Sequence, residues 1–443
     1  MRSFGIVLVI ALILTPLIWI MPLAQKHDIT ALFSQYLGIV ALIAMALTQV
    51  IATRVPGIEP IFGGLDRGYV LHKWLGITAM VSILLHDTID AEMDGLGRET
   101  GLSDLAETLG EISLYGLLIL VIITITTFIP YHLWKWTHKL MGTFFAFSFF
   151  HYFFILKPFA NLDPLGAYTL VFCIVGLLSY CYTLLPENKF RLCHRYEVEK
   201  IEATGDAFAV SLKPEGRGIS HLAGQFVFVD FKTEESRETH PFTISQAPNQ
   251  NRSLRLTIKP LGSHTSRLTK NIKPSTKVKV QGAFGHFRKP NTKGTEIWIA
   301  GGIGITPFIA WAQDRFHGTQ ISDENPVHLF YAVKSREQAA HLHELEAIAA
   351  ATPQFHLHLY ESAKNHRLSA QEIVHTTDAE VEETSVAFCG PSGLRESLRK
   401  DFIRLGLPKK RFAFEEFEIR SGIGLWAFVS WAARHYVDHK SKT

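Results

Sequence analysis

The chain changes its hydrophobic pattern near residue 186. Before that point, long apolar runs are separated by short polar connections, and after it apolar residues alternate with charged residues, Gly and Pro. Runs of about twenty apolar residues can cross a bilayer as helices, whereas the mixed pattern is typical of a water-soluble α/β protein. The pattern therefore predicts a membrane region followed by a soluble region.

Six apolar segments are long enough to cross about 30 Å of hydrocarbon. They cover residues 4–23, 31–53, 70–87, 111–129, 137–156 and 165–185. The first is longer than the apolar part of a signal peptide, so we expect a retained membrane helix. Six spans place both termini on one side of the membrane.

Basic residues indicate which side that is. Nine flank the spans on the side of the termini, and three flank the opposite ends: Arg2, Arg54, Arg67, Lys73, Lys135, Lys139, Lys189, Arg191 and Arg195 against Lys26, Arg98 and Lys157. Because basic residues concentrate in cytoplasmic loops, we expect both termini in the cytoplasm. The compact chain, without regulatory extensions, suggests a bacterial inner membrane.

Composition argues against two classes of function. The net charge is +3 and the basic residues form no long runs, so we expect no nucleic-acid partner. The four cysteines show no paired or zinc-like spacing, which argues against a disulfide framework.

Four histidines lie inside the predicted spans and are the first candidates for chemistry. His72 and His86 are fourteen residues apart in span three, and His138 and His151 are thirteen apart in span five. At 1.5 Å per residue these spacings are ~21 Å and ~20 Å, and the two spans run in the same direction. The histidines therefore form two levels, each able to hold one haem iron between two imidazoles.

Helix geometry predicts an irregularity in span five. At about 100° per residue, fourteen residues return to within about 40° of the start, whereas thirteen leave the second ligand about 140° away. A local distortion at Gly142 or a π-bulge would correct this, as would ligands that approach from different directions. The alternative without haem is that the four histidines pair with carbonyl groups or line a proton path.

The soluble region begins with strand-like runs separated by Gly, Pro and Asn. Their spacing predicts a small antiparallel β-barrel. The runs are YEVEKIEA, AFAVSLKP, QFVFVDF, SLRLTIKP and TKVKVQG.

From Glu296 the pattern becomes strand, glycine-rich turn, helix and strand, which predicts a nucleotide-binding βαβ unit. Glycines allow a pyrophosphate to approach, and the first turn of the helix can bind it through backbone N–H groups. A plain chain reversal remains the alternative. The candidate residues are Gly301, Gly302, Gly304, Thr306 and Pro307.

The segment HPFTIS combines three groups that suit an aromatic cofactor. Phe242 offers a flat ring, Thr243 a hydroxyl that can reach a ring nitrogen, and His240 a partner for phosphate; Pro241 and Ser245 belong to the same candidate set. The alternative is that this segment is an ordinary strand end beside a proline, without a cofactor.

Two further strand ends are candidate sites. In LGSHTSRL, Gly262 and Thr265 stand at the start of a predicted helix, which can bind an anion. In AFCGP, Cys389 and Gly390 end a late strand on small residues, where a cofactor ring can approach the sheet.

Together and in this order, the motifs resemble the NADPH oxidase/ferric reductase superfamily, and most closely its compact bacterial members, over about residues 60–420. The resemblance implies that the four histidines ligate two b-type haems, that HPFT binds FAD, that GGIGITP binds the NADPH or NADH pyrophosphate, and that CGP lies beside the nicotinamide. It also implies that Phe417, in FEEFEIR, covers the flavin ring.

The fold implied is multi-domain: a six-helix transmembrane haem bundle followed by a ferredoxin-reductase-like module, made of an antiparallel β-barrel FAD domain and an α/β nucleotide-binding domain. We expect boundaries at 1–190, 191–290 and 291–420, with an amphipathic tail over 421–443. The sequence contains no EF-hand loop and no Pro-rich docking segment, so obligatory cytosolic activators are not expected.

The implied activity is electron transfer from cytoplasmic NADPH or NADH through FAD and two haems to an acceptor outside, with O2 giving superoxide or H2O2 as the first choice. Eukaryotic oxidases commonly carry a further histidine where this chain has Asp90, which weakens that choice. Reduction of a ferric or cupric chelate, delivery of electrons to a periplasmic protein, and an NAD(P)H-sensing transporter without haem are the alternatives.

Nucleotide preference depends on the residues after the second strand of the βαβ unit. Lys334, Ser335 and Arg336 stand where a basic group and a hydroxyl can hold a 2′-phosphate, which would favour NADPH. A solvated loop is the alternative.

Overall fold

The computed structural model describes residues 3–55, 59–89, 96, 100–125, 129, 131–185, 193–233, 239–289, 294–316, 325–364 and 367–415. Residues up to Leu185 belong to one compact unit, and residues from Pro186 to Phe417 form another. We call them the membrane unit and the soluble unit.

Helices make up the membrane unit. They are α1 Ser3–Leu14, α2 Leu17–Ile20, a 3-10 turn Met21–Gln25, α3 Ile29–Ala52, α4 Glu59–Phe62, α5 Leu65–Thr88, α6 Gly101–Ile125, α7 Tyr131–Lys139, α8 Met141–Phe154 and α9 Pro164–Leu184. Helix α3 begins where the side chain of Asp28 accepts hydrogen bonds from the N–H groups of Thr30 and Ala31, at 2.8 and 2.9 Å. Such a cap satisfies donors that the first turn leaves unpaired.

Five helical segments in the described part of the chain are long and apolar enough to cross a bilayer: Phe4–Gln25, Ile29–Ala52, Arg67–Thr88, Gly101–Ile125 and Pro164–Leu184. The predicted span 137–156 is not among them because it is divided between α7 and α8 at Leu140. Leu140 N–H donates to the carbonyl of Thr137 at 3.0 Å, and Thr143 N–H donates to the carbonyl of Leu140 at 2.9 Å. These three-residue hydrogen bonds tighten the turn, so the irregularity lies two residues before Gly142.

Helix α3 forms the centre of the membrane unit. Its apolar window is 67% buried, against 22–28% for the other four segments, because α5 and α9 pack on it. On α9, a Cβ at Gly176 would lie 2.9 Å from Cα of Ala46, so the two backbones approach closely where this glycine stands. Small residues at helix contacts allow such packing in membrane proteins.

The first half of the soluble unit, called the sheet lobe, is one antiparallel sheet with a helix. Its elements are β1 Cys193–Thr204, β2 Ala207–Pro214, β3 Phe226–Phe231, β4 His240–Thr243, β5 Leu254–Ile258, α10 Ser263–Asn271 and β6 Lys277–Phe284, and the strand order is β4-β3-β6-β1-β2-β5. Each of the five predicted strand runs lies mainly in one of these strands. An isolated bridge between Ile244 and Leu256 joins the chain after β4 to β5, the other outer strand.

The second half, called the α/β lobe, is a five-stranded parallel sheet with helices on both faces. Its elements are β7 Glu296–Gly301, a 3-10 turn Gly302–Ile305, α11 Thr306–Phe316, β8 Val327–Val333, a 3-10 turn Arg336–Gln338, α12 Leu342–Ala351, β9 Phe355–Glu361, α13 Ala370–Thr377, β10 Ser385–Cys389, α14 Ser392–Arg404, a 3-10 turn Lys409–Arg411 and β11 Phe412–Glu415. The strand order is β11-β10-β7-β8-β9. The order reverses between β7 and β10, and ligands of such sheets bind beyond the carboxyl ends of the strands at that point.

Candidate functional site

Two of the four candidate histidines meet in the membrane unit. His72 lies on α5 and His138 in the last turn of α7, and their ring centroids are 6.1 Å apart. A metal atom between two imidazoles needs about 6 Å, because each metal–nitrogen bond is about 2 Å and each ring adds about 1 Å. Tyr69 packs against the first ring and Trp134 stacks on the second, with centroids 6.2 and 5.1 Å apart. The spacing fits one haem iron.

The other two histidines lie near the C-terminal ends of their helices. His86 is on α5 and His151 on α8. A Cβ at Gly110 of α6 would lie 2.6 Å from Nδ1 of His151, and one at Gly38 of α3 would lie 3.5 Å from the ring of His86. Glycine at position 110 therefore leaves the space that this imidazole occupies.

The Nδ1 atom of every one of these histidines has a hydrogen-bond partner. The partners are the Thr48 carbonyl for His72 at 3.1 Å, the Ser34 carbonyl and hydroxyl for His86 at 2.9 and 2.8 Å, the Ala106 carbonyl for His151 at 2.9 Å, and the Thr124 hydroxyl for His138 at 3.3 Å. A carbonyl oxygen only accepts, so Nδ1 carries the proton in the first three neutral rings. Their Nε2 atoms then keep the lone pair that binds a metal.

These residues suit a haem better than a bare metal ion. Among the described residues, no group of three or more His, Cys, Asp or Glu side chains is arranged to hold a metal. A porphyrin supplies its own equatorial nitrogens, so two imidazoles complete the coordination of its iron.

In the sheet lobe, Thr243 at the end of β4 is a polar residue whose side chain is unsatisfied. It is buried, and its hydroxyl has no hydrogen-bond partner within the described part of the chain. Burying an unpaired hydroxyl costs about 1–3 kcal/mol, so a cofactor atom at this position would relieve a real penalty. The Ser245 hydroxyl, in contrast, donates to the carbonyl of Arg255 at 3.1 Å and accepts from Thr257 at 2.7 Å.

The two candidate phosphate motifs of this lobe lie side by side. The ring of His240 on β4 stacks on the ring of His264 on α10, with centroids 3.6 Å apart. Gly262 caps α10, and the hydroxyl of Thr265 accepts hydrogen bonds from the N–H groups of Leu261 and Gly262 at 3.0 and 3.1 Å. Thr265 thus already holds the start of the helix, and the two histidines are the nearest groups that tie it to β4.

The glycine-rich turn and the CGP segment are brought together at the switch point of the parallel sheet. A Cβ at Gly301 would lie 2.7 Å from Cδ of Pro391, and one at Gly304 would overlap the carbonyl of Cys389 and lie 3.0 Å from the nitrogen of Gly390. Larger residues at 301 or 304 would therefore push β7 away from β10. The contact explains two of the glycines without any ligand.

Gly302 has a different role. Its φ of +54° lies in the left-handed region, and a Cβ there would meet no described atom within 4 Å, so the turn faces open space. Thr306 and Pro307 form the first turn of α11, where proline is favoured. A cavity of about 490 Å³ opens beside Gly301 and Gly302, which is the size of a small-molecule site.

Basic residues reach that cavity from two strand ends. Lys334 after β8 and Arg367 after β9 line it, whereas Ser335 and Arg336 are not among its lining residues. The guanidinium of Arg336 pairs with Glu346 of α12. Arg367 was missed in the sequence, whereas Lys334 belongs to the predicted segment together with Ser335 and Arg336.

Cys389 is fully buried at the end of β10 and lies opposite Glu415 of β11 in the strand register. Burial, together with the charge of Glu415, raises the pKa of this thiol well above its usual range. The thiol is therefore neutral and contributes shape rather than a nucleophile. The predicted flavin-covering residue, Phe417, lies outside the described residues.

Comparison with known proteins agrees with this division of the chain. Three family models match in order: Ferric reductase like transmembrane component over residues 37–149, FAD-binding domain over 196–329 and Oxidoreductase NAD-binding domain over 298–400. Dual oxidase 1 from Canis lupus familiaris is 30% identical over 115 residues, which cover 24% of this chain and 7% of that protein. The chain belongs to the NADPH oxidase/ferric reductase-like superfamily.

Other relatives of this ferric reductase-like chain cover different shares of it. The toluate 1,2-dioxygenase electron transfer component from Pseudomonas putida is 24% identical over 203 residues, which cover 45% of this chain and 59% of that protein. The chain thus spans less than two thirds of that relative. A flavohemoglobin structure from Malassezia yamatoensis matches the fold with a TM-score of 0.50 and 16% identity, over 88% of this chain and 98% of that one.

These findings establish the coarse function. The chain is an oxidoreductase of the ferric reductase-like type, and its segments match a transmembrane component, an FAD-binding domain and an NAD-binding domain. The helical membrane unit carries the ferric reductase-like segment, and the soluble unit carries the two cofactor-binding segments of a ferredoxin-reductase-like module.

Proposed function

We propose that this protein moves electrons from cytoplasmic NADPH or NADH through FAD and two bis-histidyl b-type haems to O2 on the outer face of a bacterial inner membrane. The observation that carries the proposal is the pairing of His72 with His138 at 6.1 Å, with Nδ1 of each ring held by a hydrogen bond. An isolated histidine that only satisfies its own polarity has no reason to face a second one at this spacing.

Two haem levels are expected because one helix carries a candidate ligand for each. His72 and His86 lie on one uninterrupted helix, α5, so they are separated by ~21 Å along its axis. The divided helix pair α7 and α8 supplies the opposing ligands, and we count this pair as one of six spans. Electrons can then cross most of the ~30 Å hydrocarbon core between two fixed positions.

The role of the protein at each level is to present an unprotonated Nε2 and to fix the ring. The carbonyl oxygens of Thr48, Ser34 and Ala106 do so by accepting from Nδ1–H, which also makes the imidazole a stronger donor to iron. Two histidines would hold each iron and would leave no position on it for O2. The acceptor is therefore reduced by outer-sphere electron transfer, which favours superoxide.

FAD supplies the step between a two-electron hydride donor and one-electron carriers. In our proposal the sheet lobe is a β-barrel that holds FAD, with the Thr243 hydroxyl as a hydrogen-bond partner for the flavin and Phe242 and His240 beside it. Support comes from the buried, unpartnered hydroxyl of Thr243 and from the stacking of His240 on His264. Phe417 remains the candidate for covering the flavin ring.

NAD(P)H binds in the cavity beyond β7 and β10. In our proposal Gly302 leaves room for the pyrophosphate, the start of α11 supplies N–H groups to it, and Cys389 with Gly390 lies on the nicotinamide side. Support comes from the open space at Gly302 and from the cavity lined by Gly301, Gly302 and Pro391. Lys334 and Arg367 place positive charge in the same cavity, which favours NADPH over NADH.

A ferric chelate is the second candidate acceptor, because the matching membrane segment is that of a ferric reductase-like component. Both acceptors need the same internal electron path. With either acceptor, we propose that the two termini lie in the cytoplasm. We propose that neither requires a cytosolic activator protein.

The test uses the full-length protein purified in detergent with FAD. NADPH is added without air while haem absorption is recorded, and then either air or a ferric chelate is admitted. Reduction of both haems followed by rapid reoxidation in air, with superoxide formed in proportion, supports the proposal. Slow reoxidation in air that a ferric chelate accelerates supports the second candidate, and reduced FAD beside oxidised haem contradicts both.

A further inference from the structure

A chain of buried polar side chains joins the two lobes of the soluble unit. It consists of Ser245, Thr257, His341, Glu344 and Arg255, which we call the interlobe network. Ser245 follows β4 and Thr257 and Arg255 lie on β5 of the sheet lobe, whereas His341 and Glu344 stand at the start of α12 in the α/β lobe. Three members of the network are less than 8% exposed: Ser245, Thr257 and His341.

Because each hydroxyl has one proton, the directions of the hydrogen bonds among Ser245, Thr257 and His341 are fixed. The Ser245 hydroxyl donates its only proton to the carbonyl of Arg255, so the Thr257 hydroxyl must donate to Ser245, at 2.7 Å. Thr257 then has no proton left for His341, so Nε2–H of His341 donates to it, also at 2.7 Å. A serine in one lobe thus requires a proton on Nε2 of a histidine in the other.

Charged groups complete the network. NH1 of Arg255 lies 3.0 Å from Glu344 Oε2, and Nδ1 of His341 lies 3.4 Å from the same oxygen. Burial opposes ionisation of Glu344, but its contacts with His341 and Arg255 prevail and lower its pKa to about 2. Arg255 also donates from Nε to the carbonyl of Ser245 at 2.9 Å, so the same side chain ties the end of β4 to α12.

The rest of the described lobe interface includes an apolar cluster of different character. The ring of Phe287 stacks on Trp311 at 4.7 Å, and Trp311 makes one hydrogen bond, to the carbonyl of Ala223 at 3.1 Å. Apolar contacts are non-directional and tolerate small shifts, whereas a fully satisfied polar network has one arrangement. Directional bonds of this kind can therefore fix the register of the two lobes. Two backbone donors add to them: His341 N–H donates to the Thr204 hydroxyl at 2.6 Å, and Ala247 N–H donates to Oε1 of Gln313 at 2.8 Å.

Register matters because hydride transfer is sensitive to distance. The flavin site begins at Thr243, two residues before Ser245, and the nicotinamide site lies in the α/β lobe. Reacting atoms must approach to about 3–3.5 Å, and a displacement of 1 Å can cost on the order of a hundredfold in rate. We infer that the interlobe network positions the flavin-binding strand against the nucleotide lobe for hydride transfer, with Thr257 and His341 as positioning residues rather than cofactor ligands. This inference rests on the proposed use of NAD(P)H and FAD and does not involve the haems.

The test compares variants that lose or keep one donor. Thr257→Val removes the hydroxyl with little change of shape, whereas Thr257→Ser keeps it; His341→Leu removes the ring donor, whereas His341→Gln keeps an N–H near the same position. In full-length protein with FAD bound, the rate of flavin reduction by NADPH is measured in a single turnover without air, together with FAD content and NADPH affinity.

We expect Thr257→Val and His341→Leu to lower the rate of flavin reduction by about tenfold or more, with weaker charge-transfer absorbance between nicotinamide and flavin. FAD content and NADPH affinity should stay within about twofold of wild type, and Thr257→Ser and His341→Gln should restore the rate. Equal rates in Thr257→Val, Thr257→Ser and wild type would overturn the inference alone, as would FAD loss that accounts for the slower rate. If NADPH fails to reduce flavin in the wild-type protein, the proposed function is wrong and the positioning role is overturned with it.

Discussion

The membrane unit and the soluble unit build their candidate sites in opposite ways. In the membrane unit, polar side chains stand out against apolar helices, and each candidate histidine has its second nitrogen tied to a carbonyl or hydroxyl group. In the soluble unit, polar side chains are common, and the informative feature is a hydroxyl without a described partner, Thr243. In the membrane unit, function is thus indicated by histidine rings that hydrogen bonds hold in place. In the soluble unit, it is indicated by a buried hydroxyl without a described partner.

The difference has a physical origin. A polar group in the hydrocarbon region is costly wherever it stands, so its presence alone suggests a role. In a water-soluble lobe, most buried polar groups are satisfied for structural reasons, as Ser245 is, and only an exception points to a ligand.

Loss of a histidine in the membrane unit should have the largest effect. His72→Ala leaves His138 without its partner, so we expect one haem per chain instead of two and at least a thousandfold loss of electron transfer to the outer acceptor, as for other indispensable site residues. Flavin reduction by NADPH should continue, because it takes place in the soluble unit. His132→Ala is the matched control and should retain both haems; equal haem content in His72→Ala and wild type would contradict the assignment.

Gly110→Ala should affect the second pair in a subtler way. The added Cβ would lie 2.6 Å from Nδ1 of His151, so the ring must shift and lose its bond to the Ala106 carbonyl. We expect the spectrum or the potential of one haem to change while the other is unaffected. Gly101→Ala, on the same helix and with no described atom within 4 Å of the new Cβ, should behave as wild type. An unchanged haem spectrum and potential in Gly110→Ala would argue that this pair is not a ligand site.

In the soluble unit, Thr243→Val should weaken FAD binding. Removing one hydrogen bond to the cofactor costs about 1 kcal/mol, which corresponds to roughly a fivefold rise in Kd. Flavin fluorescence during titration of FAD-free protein measures this, with Thr243→Ser as the variant that keeps the hydroxyl. If Ser245→Ala weakened FAD binding more than Thr243→Val, the contrast between the two hydroxyls would be wrong.

Nucleotide preference should show the smallest effect. Lys334 lines the cavity and Arg336 is paired with Glu346, so we expect Lys334→Ala to lower the NADPH/NADH ratio of kcat/KM by about threefold. Arg336→Ala should change the ratio less. A soluble dye that accepts electrons from flavin allows the ratio to be measured without the haems, and the reverse order of effects would restore Arg336 as the 2′-phosphate ligand.

The sequence predicted much of the architecture for identifiable reasons. Long apolar runs and period-two strands both carry strong signals, and the angular mismatch between His138 and His151 required a distortion that the structure places at Leu140. Its exact position could not be predicted, because Leu140 is not itself a helix-breaking residue and the nearest glycine, Gly142, stands two positions later.

The site was less predictable where its function depends on backbone carbonyl groups or on which hydroxyl is already hydrogen-bonded. The carbonyls of Thr48 and Ala106 leave no trace in the sequence, since any residue provides a carbonyl group. Thr243 and Ser245 carry the same functional group two positions apart, and only packing shows that Ser245 is already paired.

The haem content of the purified protein tests the central claim most directly. Absorption and haem extraction give the number of haems per chain, and the shape of the spectrum reports whether each iron is held by two histidines. Two low-spin, bis-histidyl b-type haems per chain are predicted. A protein that binds FAD but remains without haem after expression in haem-sufficient cells would contradict the account and would favour a sensor or transporter.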